Sequence, residues 1–159
     1  LEELHHLTRG ALTEMRALLV ELRPPALASG DLSELLQNLA DTLNSRTKTQ
    51  IKLDVCLSVT LSADEQITLY RITQEALNNI AKHAAATQVS VRLTADQHRL
   101  DLCIEDNVQG FDLTCIARAH FGLEIMRERA EAIGAVCHIE SSLGKGTCLR
   151  ITRLCAVAA

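Results

Sequence analysis

The chain has no tryptophan, one tyrosine and two phenylalanines in 159 residues, so it offers few flat platforms on which bases could stack. It also lacks an excess of positive charge. Sixteen lysines and arginines against 20 aspartates and glutamates leave a formal net charge of -4, and no basic field to attract a phosphate backbone. Nucleic acid is therefore not an expected partner. No apolar run approaches the roughly 18 residues that a membrane-spanning helix needs, so no membrane contact is expected of this stretch. There is no internal repeat and no low-complexity segment.

Cysteine is present but lacks a metal-binding spacing. Cys56, Cys103, Cys115, Cys137, Cys148 and Cys155 form no paired motif, and five fall within or at the ends of strand-like segments, so they are expected to be reduced packing residues of a cytosolic protein. With 47% hydrophobic and 23% charged residues the composition is globular, and the length suits one domain that buries about 70% of its unfolded surface without staples. The chain begins at Leu1 with neither Met nor a signal-peptide pattern, which reads as a piece of something longer.

The order of elements follows from periodicity. Leu4, Leu7, Ala11, Met15, Leu18 and Leu22 recur at three- and four-residue steps, predicting a helix over 1–22 that Pro24-Pro25 stops. Residues 24–30 read as a linker. A second helix is expected from Asp31 to Ser45, capped by Asp31 or Ser33, with Leu32, Leu35, Leu36, Leu39 and Leu43 inward. Ile51 to Leu57 alternates as a half-buried strand. Ser62 with Glu65 three positions later forms a capping box that opens the central helix. Beyond Ala86 the period changes to two: Val89, Val91 and Leu93, then Leu100, Leu102 and Ile104, mark strands joined by Asp96-Gln97-His98. A helix from Phe121 to Ile133 follows, then two alternating segments flanking Leu143-Gly144-Lys145-Gly146. Strands with one apolar face each predict an α/β fold in two layers, with helices on one side of a mixed sheet.

The central helix divides into two faces. Leu69, Ile72, Ala76, Leu77 and Ile80 gather on one, while Arg71, Glu75, Asn78, Asn79 and Lys82 gather on the other. A carboxylate, carboxamides and an ammonium within about two turns suit a metal and an anion, with Glu75 and Asn79 stacked at i and i+4. Three glycine-containing segments sit at strand ends or helix starts. Asp106-Asn107-Val108-Gln109-Gly110-Phe111 places a carboxylate at the mouth of a strand, where it can accept from an exocyclic amine. His120-Phe121-Gly122-Leu123 opens a helix whose free N–H groups favour an anion. Gly144-Lys145-Gly146-Thr147 lets a ligand approach the backbone.

Taken in order, Glu75-Ala-Leu-Asn-Asn79-Ile-Ala-Lys-His-Ala, the Asp106 segment, His-Phe-Gly122-Leu-Glu-Ile-Met-Arg-Glu-Arg129-Ala and Ser142-Leu-Gly-Lys-Gly-Thr147 resemble the ATP-binding domain of sensor histidine kinases. The resemblance runs from about Leu12 to the C-terminus and is nearest to the subfamily that pairs with NarL-type response regulators. It implies the two-layer Bergerat, or GHKL, ATPase fold over residues 31–159, preceded over 1–23 by part of the second helix of a dimerisation hairpin. By position it implies that Glu75 is the catalytic acid that orients or activates the attacking histidine, and that Asn79 holds Mg2+ at the phosphates of ATP. It implies Lys82 and His83 near those phosphates and Asp106 on the adenine amine. Asn107, Gly110, Phe111, Gly122, Leu123, Gly144, Gly146 and Thr147 would shape the cleft, with Leu113 to His120 as its lid.

The same resemblance implies transfer of the γ-phosphoryl group to a histidine absent from this piece, since His5 and His6 lie too close to Leu22-Arg23-Pro24 to be the acceptor. Relay to a response-regulator aspartate would follow, in a homodimeric full-length protein whose cytoplasmic portion this is. The chain departs from the family pattern at Val108, where a glycine usually stands. A β-branched residue is costly at positive φ, so either the turn differs or nucleotide binding weakens. Two alternatives accompany this reading: a nucleotide-binding module without catalysis, and a serine-phosphorylating kinase of the anti-sigma-factor kind with the same fold.

Overall fold

Capping chemistry fixes where the first described helix begins. The Asp31 carboxylate accepts from the Ser33 backbone N–H at 2.9 Å and opens α1 (Leu32–Arg46), close to the expected span. The computed structural model describes residues 31–47, 49–83, 86–107, 119–142 and 144–155. The expected hairpin helix with His5 and His6, the linker, Val108, Gly110, Phe111 and the first part of the expected lid lie outside the described residues.

After α1 come β1 (Gln50–Leu57), α2 (Ala63–His83), β2 (Gln88–Ala95), β3 (Arg99–Asp106), α3 (Ala119–Ala132), β4 (Val136–Ser142) and β5 (Gly146–Leu154). The expected capping box is present at the head of α2: Glu65 accepts from the Ser62 N–H at 2.6 Å, and Ser62 Oγ accepts from the Glu65 N–H at 3.3 Å. Glu65 also pairs with Arg153 on β5, which ties the start of the helix to the sheet. Burial pushes the Glu65 carboxyl up, but the backbone and hydroxyl of Ser62, then Arg153, outweigh it and hold the group below its ordinary value.

The five strands lie in the order β1-β2-β3-β5-β4. β1 pairs with β2 in parallel, because α2 returns the chain to the same end, and every other pair is antiparallel. Leu93, Leu100, Leu102, Ile104 and Ile151 turn to one face and are buried with Leu36, Leu69, Ile72, Leu77 and Met126 from the helices. The two-layer α/β expectation is met, with a mixed sheet and helices gathered on the face that carries the core. α3 begins at Ala119, two residues before the expected Phe121, so the last two positions of the expected lid are already helical. Its end is a left-handed glycine: Gly134 has φ +70°, and Ala135 N–H reaches back to Ala130 O at 2.9 Å.

Thr73 sits among the apolar residues of α2 at 1% exposure, its hydroxyl donating to Leu69 O at 2.9 Å. Satisfying that hydroxyl on the helix's own carbonyl removes most of the cost of burying it.

Candidate functional site

The register brings chemistry-bearing residues to one end of the sheet. Val89 lies opposite Asp106, Glu105 opposite Cys148, and Ser142 opposite Gly146. The last residue of β3 and the first two of β5 are therefore neighbours. Asp106 alternates with Ile104 and Leu102, so its carboxylate belongs to the helix-covered face, and it is 8% exposed.

Gly146 closes on that aspartate. With φ +83°, a Cβ at this position would stand 2.0 Å from the Asp106 carbonyl oxygen and 3.3 Å from Asp106 Oδ1. Only a residue without a side chain allows so close an approach. Beside it the Thr147 hydroxyl lies 3.0 Å from Ser141 Oγ, which also donates to Gly146 O at 3.4 Å. Gly144, at φ +78°, is exposed and faces open space, so it turns the hairpin without contacting the aspartate.

Asn107 is placed at the same end but is already engaged. Its Oδ1 accepts from the N–H groups of Thr87 and Gln88 at 3.3 and 3.1 Å, and its Nδ2 donates to Thr87 Oγ1 at 2.9 Å. The side chain clamps the entry of β2 to the exit of β3.

The second half of the site lies where α2 packs on α3. Arg71, Glu75, Asn78 and Asn79, expected on the polar face of α2, are all partly buried, whereas Lys82 is exposed. The cover comes from Gly122 in the first turn of α3, whose Cβ would meet Glu75 Oε1 at 3.2 Å and Asn79 Nδ2 at 3.5 Å. Leu123 beside it packs on the core. The structure thus brings Glu75, Asn79 and Gly122 together, and separately joins Asp106 to Gly146 and Thr147. α2 also packs on β3, the strand that ends in Asp106. His83 is the last residue of α2, and its side chain lies outside the described residues.

Arg129 lies within electrostatic reach of both Glu75 and Arg71. Burial lowers the pKa of the Arg129 guanidinium, the nearby charge of Arg71 lowers it further, and Glu75 partly offsets both. Arg71 gives one N–H to Gln74 Oε1 at 3.0 Å, while its buried Nε has no hydrogen-bond partner among the described residues. Arg129 has no assigned role in the sequence reading. The available signal is its spacing, since Gly122 and Arg129 are seven residues apart and share a face of α3.

This geometry has counterparts among known proteins. The family described as "Histidine kinase-, DNA gyrase B-, and HSP90-like ATPase" matches residues 64–156. The sensor histidine kinase LiaS of Bacillus subtilis (strain 168) is 36% identical over 146 residues, which are 92% of this chain and 40% of that protein. The sensor protein VraS of Staphylococcus haemolyticus is 37% identical over 139 residues, 87% of this chain and 39% of that protein. The chain thus spans about two fifths of the length of these relatives. Among solved structures, the histidine kinase domain of the blue-light activated histidine kinase from Erythrobacter litoralis EL346 aligns with a TM-score of 0.58 at 21% identity, over 76% of this chain and 59% of that one. Full-length ShkA in complex with AMPPNP aligns at 0.59 and 22%, over 82% of this chain and 31% of that one. At such identities the structural likeness shows a shared fold.

Proposed function

The chain belongs to the histidine kinase-, DNA gyrase B- and HSP90-like ATPase family, and on that premise we propose that its helix–sheet seam binds ATP for transfer of the γ-phosphoryl group to a histidine. The observation that carries this reading is the convergence on Gly122 of Glu75 and Asn79, from a helix packed against the strand that ends in an aspartate walled by Gly146.

Asp106 is the adenine-reading group: a largely buried carboxylate that accepts from an exocyclic amine favours adenine over bases that present a carbonyl there. Gly146 keeps that wall thin and Thr147 borders it. Away from Asp106, the Asn79 carboxamide oxygen is a hard donor that fits Mg2+ as its ligand, and the Glu75 carboxylate stands one turn away beside Gly122. When bound, that ion would neutralise charge on the phosphates and orient them. Lys82, exposed at the end of α2, is free to swing toward a phosphate, and His83 follows it.

Glu75 accepts a hydrogen bond from the N–H of the incoming imidazole and so aims the other ring nitrogen, with its lone pair, at the γ-phosphorus. The N–P bond forms as the bridging O–P bond to ADP breaks. Positioning supplies most of the rate in such a transfer. The Arg129 guanidinium, from the facing helix, adds a positive charge beside the Glu75 carboxylate. In this reading Asn107 serves the site by holding β2 to β3.

The acceptor histidine, homodimerisation and relay to a response regulator of the NarL type belong to the full-length protein. The similarity to LiaS and VraS supports a two-component role, and the Gln-Glu-Ala-Leu-x-Asn-x-x-Lys-His pattern around Asn79 supports the NarL-type pairing. The test is to mix the chain with a histidine-bearing helical hairpin from such a kinase and γ-labelled ATP. Acid-labile, base-stable phosphate on the hairpin is expected. ATP binding without transfer would reduce the chain to a nucleotide-binding module.

A further inference from the structure

The face of the sheet turned away from the helices carries a cluster that the cleft does not use. On β3 and β5, Cys103 lies directly opposite Arg150, and Glu105 directly opposite Cys148. The two cysteines are therefore diagonal neighbours across an antiparallel pair. Cys103 Sγ, Cys148 Sγ and one Glu105 carboxylate oxygen all lie within 4.8 Å of one another, with Cys148 Sγ 3.7 Å from Glu105 Oε1. Arg150 donates to Cys103 Sγ at 3.7 Å and is steadied by Asp101 at 3.9 Å.

Diagonal placement decides between the two things a pair of thiols can do. Diagonal residues of an antiparallel pair have Cα atoms about 7–8 Å apart, beyond the roughly 4.4–6.8 Å that a disulfide spans. Two thiolates on one tetrahedral ion, each about 2.3 Å from it, stand roughly 3.8 Å apart, which sulfurs already within 4.8 Å of one another reach with small rotations. The third donor is a carboxylate on the same face, and Glu105 is exposed, so water has access to a fourth position. The charges also balance: two thiolates and a carboxylate carry three negative charges, which a divalent ion and the Arg150 guanidinium offset.

We propose that Cys103, Cys148 and Glu105 bind one thiophilic divalent cation of the zinc class on the open face of the sheet. Each thiol releases its proton to solvent as its sulfur meets the ion. The Arg150 N–H remains on the Cys103 sulfur as an outer donor that fixes its lone pairs. The ion would staple β3 to β5 one residue before Asp106 and two after Gly146, where the two strands frame the seam. The site does not depend on what that seam binds.

The experiment is a cadmium titration of the reduced, chelator-treated chain, followed by thiolate-to-metal charge-transfer absorption in the ultraviolet. One equivalent should saturate the band, and zinc should displace it. Cys148→Ala, at a partly exposed position, should abolish the band. Glu105→Gln should weaken binding at least about tenfold. A chain with Cys56, Cys115, Cys137 and Cys155 all replaced by serine should keep it, which excludes the other four cysteines as ligands. Absence of the band, its survival in Cys148→Ala, its loss in the four-serine chain, or a Cys103–Cys148 disulfide in the unreduced protein would each overturn the proposal.

Discussion

Gly146 lies so close to Asp106 that a single added methyl group would stand 2.0 Å from the Asp106 carbonyl oxygen. The conflict is with backbone, which cannot swing aside as a side-chain tip could. Gly146→Ala should therefore cost at least about 2 kcal/mol, from strain at φ +83° together with the displacement of β3. Urea unfolding checks the cost, and an unchanged midpoint would show that the strand yields without penalty.

Gly122→Ala tests the opposite situation. Its new methyl would meet the ends of the Glu75 and Asn79 side chains, at 3.2 and 3.5 Å, and these can rotate. Stability should change by less than about 1 kcal/mol, since alanine also favours the helix, while affinity for ATP with Mg2+ falls about tenfold or more through misplaced donors. Calorimetric titration beside thermal unfolding separates the two. A variant that loses stability and keeps its affinity would remove Gly122 from the site.

Asn79→Ala should leave the fold intact, because Asn79 belongs to the partly buried polar face of α2 and not to its core. Nucleotide affinity should then become nearly independent of magnesium, as expected when the hard oxygen ligand is gone. Comparing titrations in magnesium and in chelator measures this. Retained magnesium dependence would assign the ion to other ligands.

Glu65 offers a pH test at the other end of α2. Its pKa is lower in the folded protein, so its contribution is full above the unfolded value near 4.5 and is lost as pH falls through the folded one. Glu65→Gln should cost about 1 kcal/mol at pH 7 by losing the charge that serves Ser62 and Arg153. The difference should close in acid, below the carboxylate range. Denaturant unfolding of both chains at neutral and acid pH checks it, and a gap that stays constant would mean that shape and not charge is responsible.

Sequence legibility followed the range of each interaction. The Ser62–Glu65 box, the Asp31 cap and the alternation of β1 depend on residues a few positions apart, and all are found where local chemistry puts them. The start of α3 lies two residues before the expected one, because the residue immediately before Ala119 is Arg118, which is not a capping residue. Glu75 and Asn79 were legible as a pair on one helix face, but their burial was not, since the covering Gly122 comes from another helix. Spacing along the chain left the cysteines without a pattern, because Cys103 and Cys148 meet only through strand pairing. Arg129 escaped for the same reason: the carboxylate it attends is more than fifty positions away in sequence.

The parallel pairing of β1 with β2 has a kinetic consequence. The β2–β3 and β4–β5 hairpins join neighbours in sequence and close quickly, whereas Ile51 meets Val89 only after all of α2 has been laid down between them, and such long closures are slow. The helix bearing Glu75 and Asn79 is thus the crossover that must dock for the sheet to acquire its first strand. Refolding should show the hairpins protected from hydrogen exchange before α2, with the helix face that carries Glu75 and Asn79 arriving last.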